Sequence, residues 1–139
     1  MKHYLIGLYL LLTLSSFYPV ASFKWVKWKN VSTATKAALK KTKYLAGATA
    51  YDDIIEQIEE GCEVEVATLD MDGDGKMEYA VASYGRFCCG SAGCSLNVFS
   101  QNGKKQVNLT DYIESVKPSK YGVISSAGIL IKFKNVTSK

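Results

Sequence analysis

The densest chemistry in the chain sits in nine consecutive residues, Asp70-Met71-Asp72-Gly73-Asp74-Gly75-Lys76-Met77-Glu78. Carboxylates recur at positions 1, 3, 5 and 9 of this stretch, and Gly75 occupies position 6, where the chain must turn sharply. Lys76, at position 7, can offer its backbone carbonyl. Calcium is a hard cation that gathers about six to eight oxygens, and this spacing wraps oxygens around one point. Without a cation, carboxylates held this close repel one another. Position 12 is Val81, so the bidentate Glu of an EF-hand loop is missing.

The nine residues resemble the short calcium loop of integrin-type FG-GAP and bacterial VCBS-like repeats, written roughly D-x-[DN]-x-D-G-x-x-[DE]. That resemblance implies Ca2+ as the ion, with Asp70, Asp72, Asp74 and Glu78 as side-chain ligands and Lys76 as a backbone ligand. Affinity would be modest, with Kd about 10⁻⁴ to 10⁻³ M as in extracellular modules. The motif occurs once, so a propeller of such repeats is not available. A wider stretch, residues 62–100, is similar to small exported bacterial proteins in which a D-x-N-x-D-G-x-P-E loop precedes an F-C-G-x-G-G-C segment. Here the second part reads Phe87-Cys88-Cys89-Gly90-Ser91-Ala92-Gly93-Cys94, with one additional Cys.

The start of the chain points to export. Lys2 and His3 form a short polar region, and residues 4–14 are apolar apart from Gly7 and Thr13. Pro19 and the small residues of Val20-Ala21-Ser22 follow. This pattern predicts a secretory signal peptide over residues 1–22 and a single secreted domain over residues 23–139. The apolar run is far shorter than the roughly 20 residues a membrane span needs, so no transmembrane segment is expected after cleavage. The expected location is periplasmic or secreted.

Export bears on Cys62, Cys88, Cys89 and Cys94, an even number in the mature part. In an oxidising compartment that predicts two disulfides. A vicinal Cys88–Cys89 bond would be strained. The favoured scheme is Cys89–Cys94, closing a six-residue turn, with Cys62–Cys88. A Cys62–Cys94 bond with Cys88 or Cys89 left over stays open.

These residues need a scaffold. Residues 62–69 and 77–84 alternate with the period of two expected of strands, so the acidic loop would cap a hairpin. Thr49 with Asp52 forms a capping-box-like start to a helix carrying Ile54, Ile55 and Ile58, which Gly61 ends. Ser32 could cap an earlier helix over residues 35–45. Residues 95–100 and 105–109 read as strands around Gln101-Asn102-Gly103-Lys104, whose Asn-Gly is a hairpin signal. Residues 121–125 and 129–133 form a last strand pair, with Ile129, Ile131 and Phe133 on one face. The expected class is α+β: an antiparallel sheet of about six strands, with two or three mainly N-terminal helices on one face.

Charge narrows the functions. Residues 23–51 hold seven Lys and no acid, residues 52–78 hold eleven acids and one Lys, and residues 79–139 hold eight basic groups and two acids. The basic arms neutralise the acidic middle, and Arg86 is the single Arg, so nucleic acid is not expected as a partner. The one His is His3, in the segment expected to be removed, so a Ser-His-Asp triad and His-ligated metal are not expected. Phe23-Lys24-Trp25-Val26-Lys27-Trp28-Lys29 interleaves aromatics with lysines and could be a binding surface or a buried N-terminal element. The expected function is a non-catalytic, inhibitor- or immunity-like binding module for a protein or cell-wall component. Alternatives are a structural accessory of an envelope assembly, or a small hydrolase using Asp52, Asp53, Glu56 or Glu59.

Overall fold

The computed structural model describes residues 22–45 and 47–136. The expected signal peptide lies outside these residues, apart from Ser22. The N-terminal third comprises β1 (Val26–Lys27), α1 (Thr33–Lys41), β2 (Lys43–Leu45), β3 (Ala48–Thr49) and α2 (Ala50–Glu59). The middle comprises β4 (Glu63–Leu69), β5 (Glu78–Tyr84), β6 (Cys89–Gly90), β7 (Gly93–Phe99) and β8 (Lys105–Asp111). The C-terminal part comprises β9 (Lys117–Ser119), β10 (Gly122–Ile124), β11 (Leu130–Lys132) and β12 (Lys134–Asn135). The main sheet runs β1-β4-β5-β7-β8-β12, with β6 paired to β7, and all its pairings are antiparallel. A smaller sheet runs β11-β10-β9. The class is therefore α+β with a mainly antiparallel sheet.

Alternation sorts the side chains of the central hairpin onto two faces. Val64 and Val66 of β4, with Tyr79 and Val81 of β5, form one cluster with Leu39 of α1, Ala50 and Ile54 of α2, and Phe99. Ala67, Ala80 and Ala82 point the other way, into a cluster with Leu96, Val98, Val107 and Val123. The sheet is thus covered on both sides, by helices on one and by the 113–133 region on the other. An alternating pattern alone suggested half-buried strands. The small side chains of the three alanines are what let a second layer lie close, and β5 is consequently buried along nearly its whole length.

Local signals set the helix starts. Thr49 Oγ1 accepts the Asp52 amide at 3.1 Å while the Asp52 carboxylate receives the Thr49 amide, a complete capping box for α2. Ser32 Oγ accepts the Thr35 amide at 3.1 Å and caps α1. The end of α1 differs from expectation: the helix stops at Lys41, and residues 43–45 form a strand instead. Tertiary contacts explain this. The Thr42 hydroxyl lies 3.0 Å from the carbonyl oxygens of both Ala38 and Gln101. Gly103 packs so tightly on the next residue that a Cβ there would sit 1.8 Å from the Lys43 carbonyl oxygen. The Thr42 carbonyl, which a continuing helix would offer four residues on, accepts instead from the Ala50 amide at 2.8 Å, while the 101–104 loop packs against Thr42 and Lys43. The loop's Asn-Gly does sit in a hairpin turn, with Gly103 at φ 74°.

The last strand pair forms as expected, with Val123 opposite Ile131. Its facing does not: Ile131 and Phe133 pack on the core, whereas Ile129 is 64% exposed in the turn. Trp25 lies against Phe23 with ring centroids 5.2 Å apart, and Trp28 lies 5.5 Å from Tyr51 with Lys36 Nζ over its ring at 4.7 Å. Both indoles are half-buried and belong to the two core clusters. The aromatic rings of the N-terminal stretch are thus committed to packing, while Lys24, Lys27 and Lys29 stay exposed.

Candidate metal centre

The acidic loop joins β4 to β5, whose last register pair is Leu69 with Glu78. Backbone amides fold it inward. Asp70 Oδ1 accepts from Gly73 and Oδ2 from Gly75, both at 2.8 Å. Asp72 Oδ1 accepts from Asp74 at 3.1 Å, and Asp74 Oδ1 accepts from Lys76 at 2.8 Å. Glu78 Oε2 accepts from Met71 at 2.6 Å, closing the loop on itself. Gly75, at φ 82°, supplies the left-handed residue the turn requires. Each carboxylate is thereby pinned by at least one amide. Asp72, Asp74 and Glu78 each retain an oxygen with no hydrogen bond among the described residues.

Oxygens of Asp70, Asp72 and Glu78 lie within 4.8 Å of one another, so this cluster could hold a metal ion. Two oxygens on opposite sides of calcium, each at about 2.3 to 2.6 Å, span nearly the same distance. The donors are all hard oxygens, which suits a hard cation such as calcium, magnesium or manganese and not a soft metal. Asp74 stands outside that closest trio, though its carboxylate lies on the same loop and lines the same cavity as Asp72 and Glu78.

Glu78 is the buried acid of the loop. It is only 5% exposed, and burial pushes its pKa from 4.5 to about 7, opposed by the Met71 amide and reinforced by repulsion from Asp72, Asp74 and Asp70. A raised acid pKa means that the metal-free fold binds a proton that the unfolded chain has released. That contribution to stability is fully present below pH 4.5 and is lost as pH rises through about 7. Glu78→Gln should remove this loss, which amounts to no more than about 2 kcal/mol once solvent screening is allowed for. Urea titrations of both proteins in chelator at pH 5 and pH 8 measure it, and parallel changes in the two would refute the assignment.

Two disulfides frame the hairpin. Cys62–Cys88 joins its base to the following loop, with a Cα–Cα distance of 5.8 Å, and Cys89–Cys94 closes the β6–β7 turn at 4.1 Å. No free cysteine remains.

The helix acids considered for hydrolysis lie along α2, outside the lining of the cavity at the acidic loop. Asp52 serves the α2 cap, Asp53 accepts from Gln57 Nε2, and Glu56 and Glu59 are exposed. The buried Asp111 has a structural task. Burial works against its ionisation, but bonds from the Ser126 hydroxyl, the Ser126 amide at 2.8 Å and the Tyr112 amide at 2.7 Å outweigh this and hold its pKa down.

The acidic loop borders a cavity of about 490 Å³ that Asp72, Asp74 and Glu78 share with Lys104, Lys105 and Lys120. In the sequence these lysines belong to the basic stretch of residues 79–139. Their remoteness in the chain from residues 70–78 gave no signal that they would meet the acids. Set against protein-family models, curated proteins and solved structures, the chain matches none.

Proposed function

We propose that this chain is an exported, non-catalytic binding domain, braced by one calcium ion at residues 70–78 and by the two disulfides, that recognises a protein or cell-wall component in an inhibitor- or immunity-like role. Asp70, Asp72, Asp74 and Glu78 hold the ion through their side chains and Lys76 through its carbonyl, as in the FG-GAP-like loop it resembles. The observation that carries this reading is the loop itself: three carboxylates converge within 4.8 Å, one of them buried, with amides fixing their orientation. An oxidising compartment accords with the paired cysteines, and the 1–22 segment is the signal peptide that delivers the chain there. The ion's work is architectural. It neutralises the β4–β5 loop and so fixes one wall of the neighbouring cavity.

Affinity capture from the native envelope fraction tests this function. The mature domain should retain the same component in repeated captures in calcium and release most of it when chelator is added. Retention unaffected by chelator would detach the metal from recognition, and hydrolysis of envelope material by the purified domain would overturn the non-catalytic assignment.

A further inference from the structure

The cavity beside the metal loop continues into a second one of about 520 Å³, and the two share Lys105, Lys120, Phe133 and Asn135 as lining. Together they form a trough between the β8–β12 edge of the main sheet and the small β9–β10–β11 sheet. Its cations are Lys76, Lys104, Lys105, Lys120 and Lys132, all exposed. None of them makes an ion pair with a described residue. Lys120 Nζ instead lies 5.8 Å from the ring centre of Tyr121. Tyr121 is 62% exposed on the trough wall, and Phe133 is half-buried in it. Asn102 and Asn135 add amide groups, and the Ser100 hydroxyl, which donates to Asn102 Oδ1 at 2.8 Å and accepts the Lys105 amide at 3.0 Å, holds Asn102 in place.

From this lining we infer that the trough is the recognition surface and takes an acidic polysaccharide. The inference rests on the reading of the chain as an exported binding domain, and calcium enters it only by fixing the loop wall of the trough. Each ligand feature has a counterpart. Repeated carboxylates meet lysines spaced along the trough, and the field of several unpaired cations in one concavity draws in a polyanion. Apolar C–H faces of sugar rings lie against Tyr121 and Phe133. Ring hydroxyls meet the side-chain amides of Asn102 and Asn135. Single-stranded nucleic acid would also meet cations and rings, but its close-set phosphates would run against Asp72 and Asp74 at the trough's loop end. A sugar chain with one carboxylate per repeat can place an uncharged residue there.

A hyaluronan oligosaccharide, neutral dextran and a single-stranded oligonucleotide serve as probes for titration calorimetry in millimolar calcium. Hyaluronan should bind and dextran should not, and raising the salt from about 0.05 to 0.5 M should weaken the binding severalfold as the charges are screened. Lys105→Glu with Lys120→Glu should lower affinity at least tenfold, and Tyr121→Ala severalfold, all without a change in melting temperature because these side chains are exposed. Lys24→Glu with Lys29→Glu matches the charge change elsewhere on the surface and should leave binding nearly intact. Equal losses in the two double variants would reduce the effect to net charge and overturn the site. Tighter binding of the oligonucleotide would overturn the ligand class, and binding indistinguishable from that of dextran would overturn both. Melting the same samples with and without calcium reads the metal loop separately, so failure of the trough and failure of the calcium assignment are distinguishable.

Discussion

Ten millimolar calcium should raise the melting temperature of the mature domain at pH 7 by about 10 °C, and Asp72→Ala with Asp74→Ala should abolish the rise. The size follows from linkage. With Kd near 10⁻⁴ M, that concentration is a hundredfold excess and stabilises the fold by about 2.7 kcal/mol. For a domain of this length, each kcal/mol corresponds to about 4 °C. Calcium should act more strongly above pH 7 than at pH 5, because binding must displace the proton that the buried Glu78 holds below about 7. The Ala variant has a second expected signature. Removing two like charges relieves repulsion in the loop, so in chelator its melting temperature should match or exceed that of the parent. Differential scanning calorimetry with and without chelator decides the matter. An unchanged melting curve at millimolar calcium would end the metal assignment.

Removing the Cys62–Cys88 bond should cost about 3.5 kcal/mol, against about 2 kcal/mol for Cys89–Cys94, because the larger loop restricts the unfolded chain more. The two bonds span 26 and 5 residues. Cys62→Ala with Cys88→Ala, and separately Cys89→Ala with Cys94→Ala, avoid orphan thiols. Urea unfolding in calcium gives both losses. The longer bond ties the end of α2 and the base of β4 to the loop after β5, so its loss also frees the junction of the helical layer with the sheet. A loss from the shorter loop equal to or greater than that from the longer would reject this ranking. Mass spectrometry of the unreduced parent should find no free thiol.

Much of the fold was written locally. Thr49 and Asp52 cap α2 because their side chains and amides meet within one turn, a geometry that needs nothing distant. The alternation of residues 62–69 and 77–84 placed Val64, Val66, Tyr79 and Val81 on one face, since pleating forces it. What periodicity could not convey was coverage. Ala67, Ala80 and Ala82 are buried because segments distant in the chain, Phe23 before them and residues 113–133 after them, fold over them. The end of α1 shows the same limit. The Ala- and Lys-rich sequence favours continuing the helix past Thr42, but the contacts of the 101–104 loop with Thr42 and Lys43 outweigh that preference.

The candidate site divides along the same line. Residues 70–78 determine their own turn, because glycines, short carboxylates and nearby amides satisfy one another within nine positions. That spacing is enough to bring Asp70, Asp72 and Glu78 close together. The burial of Glu78 and the approach of Lys104, Lys105 and Lys120 to this loop required the assembled sheets. Solvent exclusion and encounters between distant segments are properties of packing, so only the tertiary structure decided them.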